Sequence, residues 1–231
     1  MKITEGSKII TGIENFTERV DEITSQVSYE KVKHTISELK KALYNNSSLP
    51  ALCAPQIGIP LRLFVVKQAK AETDRFKVFL NPMIVTAEGL HLSREVSASI
   101  PEKEFIIPRR NKIHVAYQSE DGHVLSDTYL GAYAEVIQQM IEMLDGITLA
   151  DYGLDLDDVG GPEAFTKAPK KQQAEVLALY LDTLKGISAD LSAEINADPH
   201  LTELNSYIDE LADVLSKDKL EIDKLKEATA E

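Results

Sequence analysis

An α+β domain carrying a helical extension is the fold class this sequence predicts, and three observations predict it. Short runs rich in β-branched residues precede one strongly apolar helical stretch, "EVIQQMIEMLDGI" at 135–147. Past residue 168 the apolar residues recur only at helical spacing. Charge also divides the chain. Residues 1–154 hold 17 basic and 20 acidic groups, a net of −3, whereas 155–231 hold 8 and 18, a net of −10.

The elements follow in order. Val32, Ile36, Leu39 and Leu43 fall on one helical face, so Tyr29–Tyr44 reads as an amphipathic helix ended by Asn45-Asn46-Ser47-Ser48. After "LPALCAPQIGIP", the run Leu61–Val66 reads as a strand, and "KVFLNPMIV" as a second one broken at Asn81-Pro82. "NKIHVAYQ" and "HVLSDTYLG" flank Ser119-Glu120-Asp121-Gly122, where Asp-Gly between alternating runs signals a hairpin. A helix from about Gly131 to Leu144 closes this domain, placed at 1–154. Gly160, Gly161 and Pro162 among Asp155, Asp157 and Asp158 suggest an acidic linker over 155–168.

Residues 169–231 read as two helices. Leu177, Leu181, Leu184, Leu191 and Ile195 mark the first, with Ser188 as a polar gap. Leu201, Leu204, Ile208, Leu211, Leu215, Ile222 and Leu225 mark the second, at about 3.5-residue spacing. Such a pair forms an antiparallel hairpin or offers its seam to another chain.

The net charge of −13 argues against general affinity for nucleic acid or anionic lipid. No apolar run approaches the roughly 20 residues of a membrane span, and the N-terminal stretch lacks a signal-peptide pattern, so a cytoplasmic location is expected. The single cysteine, Cys53, excludes an internal disulfide and a multi-cysteine zinc cage. His34, His91, His114, His123 and His200 include no pair at i, i+4. A calcium loop counted from Asp155 fails at Val159, where an oxygen ligand is needed, and at Thr166, where a bidentate Glu is needed.

Four stretches stand in the order and spacing of peptide deformylases, metalloenzymes that remove the formyl group from N-terminal methionine. "LCAPQIG" (52–58) is similar to the family's G-x-G-L-A-A-P-Q-x-G, and "LNPMIV" (80–85) to its I-N-P-x-I strand. "EVSAS" (95–99) with "IPRRNKIHVAYQSEDG" resembles E-G-C-L-S followed by V-x-R-x-x-x-I-x-V. "AEVIQQMIEMLDGI" resembles A-x-x-x-Q-H-E-x-D-H-L-x-G-I. The resemblance covers roughly 30–150 and implies antiparallel strands packed on a central helix.

It also implies where chemistry would sit. The family's metal ligands, one cysteine and two histidines, correspond to Ser97, Gln139 and Met143, and its general acid/base glutamate to Met140. Hydroxyl, amide and thioether form a poor donor set for Zn²⁺, Fe²⁺ or Ni²⁺. Gln56 matches the glutamine that helps hold the formyl oxygen, and Glu95 and Arg109 match a pairing acid and base. Gly58, Asn81, Pro82 and Gly146 match turn and strand-end positions. Leu49, Ala51 and Val96 replace glycines, and Val96 would resist a positive φ.

On these residues no metal and no cofactor are expected. The chain reads as a catalytically inactive deformylase-like protein, a structural or protein-binding component joined to partners or to its own copies through the C-terminal seam. Because the family also occurs in bacteriophage genomes, a virion or assembly role, in host cytoplasm or particle, suits that reading. The alternative is an active deformylase or other metal-dependent hydrolase with a non-standard site drawn from Glu142, Glu95 or His200. A protein that grips formyl-methionyl ends lies between the two.

Overall fold

The computed structural model describes residues 8–68, 76–194, 205, 206, 208–210, 212 and 213, with side chains in the first long helix of the extension described to 188. Helix α1 (Tyr29–Asn45) begins where Ser28 Oγ accepts from Lys31 N–H, a common N-terminal cap. Strand β1 (Ala51–Cys53) leads through a 3-10 turn, Ala54–Ile57, to β2 (Leu63–Lys67). Strands β3 (Phe76–Ser97), β4 (Ile100–Gln118) and β5 (Val124–Leu130) complete an antiparallel sheet ordered β1-β2-β3-β4-β5.

Alternation along these strands divides the core in two. Leu52, Leu63 and Val65 face α1 and meet Val32, Ile36, Leu39 and Leu43. Cys53, Phe64, Val66, Phe79, Ile113 and Val115 face the other way, onto α2 (Ala132–Leu144), which contributes Ile137, Met140, Ile141 and Leu144. The sheet therefore packs on a central helix, as the sequence predicts.

Two joints fix that helix against the sheet. Gln138 behaves as an extra strand residue: its Oε1 accepts from Arg110 N–H at 2.9 Å and its Nε2 donates to Arg110 O at 2.9 Å. At the C-terminal end Gly146 has φ 79°, and a Cβ there would stand 2.8 Å from the backbone carbon of Glu18. Only glycine tolerates both conditions. Asp145 beside it accepts from Arg62 Nη1 at 2.6 Å.

Asn81 does not end a strand. It sits at φ 47° inside β3, and its side chain accepts from Ile23 N–H at 2.8 Å and donates to Ile23 O at 2.9 Å. The register shift between Leu80 and Met83 marks a bulge there, after which β3 and β4 run on as two long arms. Sequence periodicity did not assign strand to 86–110, although the pairing continues from Thr86↔His114 to Ser97↔Ile100.

The stretch 155–168 is built rather than extended. Helix α3 (Leu149–Tyr152) leads to β6 (Leu154–Asp155), which pairs with Phe105 and Ile106 of β4. A 3-10 turn buries Leu156, and α4 (Pro162–Lys167) follows. Helix α5 (Lys170–Glu194) then returns to the body. Tyr180, Leu181 and Leu184 pack with Ile208 against Leu90 and Leu92 of β3, Tyr152 and Leu154. Arg110 Nη1 donates to Glu210 at 2.6 Å and Nη2 to Ser206 Oγ at 2.8 Å.

The described part of the extension thus folds back on the sheet. Ile208, 7% exposed, spends its side chain within the chain. Ser188, the polar gap, is buried and donates to Asn205. The other seam residues, Leu201, Leu204, Leu211, Leu215, Ile222 and Leu225, and also His200, lie outside the described residues. Among the described residues no helix is long and apolar enough to cross a membrane.

Candidate functional site

A cleft of about 210 Å³ opens between β1, the turn joining β3 to β4, and the first half of α2. Gln56, Ser97, Gln139 and Met140 all line it, together with Leu49, Val96, Glu135 and Val136. Met143, the fifth position singled out in the sequence, is one turn beyond Gln139 but buried in the core beside Met140 and Cys53.

Gln56, Gln139 and Ser97 each have a partner there. Gln56 accepts from Cys53 N–H through Oε1 at 3.0 Å and donates from Nε2 to Ser99 Oγ at 3.2 Å. Its amide keeps a second N–H beyond the one given to Ser99. Gln139, 8% exposed, donates to Val96 O at 3.1 Å. Ser97 Oγ accepts from Ser99 N–H at 3.3 Å, which folds the turn on itself. Val96 is not strained: among the described residues, the non-glycine ones of positive φ are Asn81 and Glu102.

Beneath the turn lies a buried charge cluster. Arg109, fully buried, reaches Glu95 with Nε at 2.6 Å and Nη2 at 2.9 Å, a bidentate pair. Its Nη1 donates to Glu142 at 2.6 Å and to Tyr152 OH at 3.0 Å, and Tyr152 OH donates to Glu142 at 2.5 Å. Burial opposes the charge on Arg109, but Glu142, Tyr152 and Glu95 outweigh it and hold the guanidinium well above its ordinary range. Burial pushes Glu142 above the usual carboxylate range against the pull of Arg109. The extension touches this cluster, because Tyr180 OH donates to Tyr152 O at 2.6 Å.

Burial likewise raises the Cys53 thiol to about 12, so it is a core residue and no nucleophile. His114 bonds Thr128 and Ser126 on the neighbouring strand, and His123 sits exposed at the hairpin tip. Asp155 caps the following turn through Asp157 N–H at 3.0 Å and pairs with Lys103 at 2.5 Å, a structural use of the acidic stretch.

A family model described as "Polypeptide deformylase" matches residues 8–158. The chain belongs to the peptide deformylase family. The peptide deformylase of Desulfotalea psychrophila is 32% identical over 136 residues, 58% of this chain and 80% of that one. That of Christiangramia forsetii is 31% identical over 137 residues, 53% and 69% of the two chains. Among solved structures, a probable peptide deformylase from Synechococcus phage S-SSM7 superposes with a TM-score of 0.58 at 27% identity, covering 64% of this chain and 99% of that one.

These relatives correct one expectation. The chain was expected not to be an enzyme, because four side chains of the family's centre are replaced. Relatives about 30% identical are named for an enzyme, and replacement of side chains does not by itself show that activity is lost. The metal is a separate matter. Ser97 and Gln139 are committed to Ser99 N–H and Val96 O, and Met143 is packed in the core. Among the described residues no group of three or more His, Cys, Asp or Glu could hold a metal ion. This donor set does not fit the family's metal.

One feature of the cleft escaped the sequence. Glu135, one turn before Gln139, meets His91 of β3, with Nε2 2.7 Å from Oε1. Forty-four positions separate them, and no local pattern joins a strand histidine to a helix glutamate.

Proposed function

We propose that this deformylase-family chain acts on the formylated methionyl end of a peptide, held in the cleft between β1, the β3–β4 turn and α2. The carrying observation is Gln56, fixed at the cleft by Cys53 and Ser99 with an amide N–H to spare for a formyl oxygen. Leu49, Val136 and Met140 add an apolar wall for an unbranched thioether side chain. At about 210 Å³ the cleft is smaller than the roughly 300–1,000 Å³ of drug-sized sites and suits one terminal residue. Leu49, Ala51 and Val96, which line the cleft where the family has glycines, add side-chain bulk to it.

Calorimetric titration of the full chain with a formyl-methionyl tripeptide tests this. Binding is expected, with loss of at least about tenfold in affinity when Val136→Trp fills the cleft. Equal affinity in both proteins, or no binding to the natural chain, would overturn the reading.

A further inference from the structure

Glu135 and Gln139 are neighbours on the face of α2 that lines the cleft, one helical turn apart. The Glu135 side chain is 26% exposed, so it is reachable from the cleft yet partly withdrawn from bulk water. Across the gap His91 Nε2 stands 2.7 Å from its carboxylate. The other ring nitrogen, Nδ1, is buried and has no hydrogen-bond partner among the described residues. The Glu135 contact is therefore the ring's one polar anchor, and it holds a carboxylate oxygen in a set direction. Glu95, the other carboxylate lining the cleft, is clamped by both arms of Arg109.

We infer that Glu135, one turn before Gln139 on the cleft face of α2, is the catalytic proton-transfer group of the cleft and that His91 is its positioning residue. The inference rests on the cleft receiving a formyl peptide. With the formyl oxygen on Gln56, the Glu135 carboxylate removes a proton from a water as that water's oxygen bonds to the formyl carbon. The carbonyl electron pair moves onto oxygen, where the spare amide N–H of Gln56 meets the developing charge. The C–N bond then breaks as Glu135 returns the proton to the departing nitrogen. One water is consumed, and formic acid and a free amine are released.

The decisive experiment follows formate release from a formyl-methionyl tripeptide by the full chain in the presence of chelator, with peptide affinity measured in parallel. Glu135→Gln is expected to lower kcat about 100-fold with KM within about twofold, and Glu135→Asp to recover part of the loss. His91→Phe is expected to lower kcat about tenfold and His91→Gln to restore most of it, with melting temperatures unchanged. Peptide that fails to bind the natural chain overturns the cleft reading and this inference together. Peptide that binds without formate release, or equal kcat in the natural and Glu135→Gln chains, overturns the Glu135 assignment alone. If Glu135→Gln does not fold, a Glu135→Asp chain of undiminished kcat and a His91→Phe chain of undiminished kcat overturn it equally.

Discussion

Arg109→Met would strip the buried charge cluster of its one cation. The guanidinium makes two hydrogen bonds to Glu95 at 2.6 and 2.9 Å, one to Glu142 at 2.6 Å and one to Tyr152 at 3.0 Å. Met fills much of the volume, so the cost comes mainly from two buried carboxylates left unpaired. Breaking a buried pair from one side costs about 3–5 kcal/mol, against a total stability of roughly 5–15 kcal/mol. For a chain of this size that is a drop of roughly 10 °C in melting temperature. Glu142, raised by burial even beside Arg109, would rise further without it. A carboxyl whose folded value lies above its unfolded value of about 4.3 binds more protons in the folded state. Stability is therefore retained below that unfolded value and lost as pH rises through the folded one. Urea unfolding at pH 5 and pH 8 should show a smaller penalty at pH 5. A penalty below about 1 kcal/mol at pH 8, or one independent of pH, would refute the reasoning.

Leu184→Ala, in the centre of the extension's contact with the sheet, should cost about 2–5 kcal/mol and loosen α5, read as faster amide exchange there; unchanged exchange would detach the extension from the body. Cys53, raised to about 12 by burial, should resist thiol reagents in the folded chain up to pH 9. Its raised value also means stability falls as pH climbs from about 8.5, the unfolded value, toward 12; rapid labelling of native protein would contradict both. Gln138→Leu leaves Arg110 N–H and O without their side-chain partner and should destabilise by about 2 kcal/mol, checked by chemical unfolding against Gln138→Glu. Restoring Ser97→Cys, Gln139→His and Met143→His together should bring close to one equivalent of divalent metal per chain, measured by elemental analysis; no uptake would mean that the backbone has also departed from the family's geometry.

Much of this was legible in the residues. The four apolar positions of α1 and the Asp-Gly turn between β4 and β5 announce themselves locally, because period and turn chemistry are properties of consecutive residues. The long arms of β3 and β4 are not announced. Between Thr86 and Glu95 the most buried residue is the polar Ser93, while Leu90 and Leu92 on the other face are only partly buried, so no alternation of apolar and polar residues marks the strand. The Gly-Pro-Asp stretch at 155–168 does mark chain reversals, yet the pairing of β6 with Phe105 and Ile106 depends on a strand 50 residues away. At the site, Gln56, Ser97, Gln139 and Met140 were found through four motifs in register. The partnership of Glu135 with His91 was not, since His91 lies outside those motifs, Glu135 stands at a position of the fourth to which no role attaches, and only the packing of the sheet on α2 brings them together.

The most direct measurement adds a tripeptide carrying a ¹³C-labelled formyl group to the full chain and follows the carbon resonance over time. A shifted or broadened formyl signal, followed by growth of the formate signal, is the expected result. A formyl resonance identical with and without protein, and no formate, would contradict the assignment of the cleft.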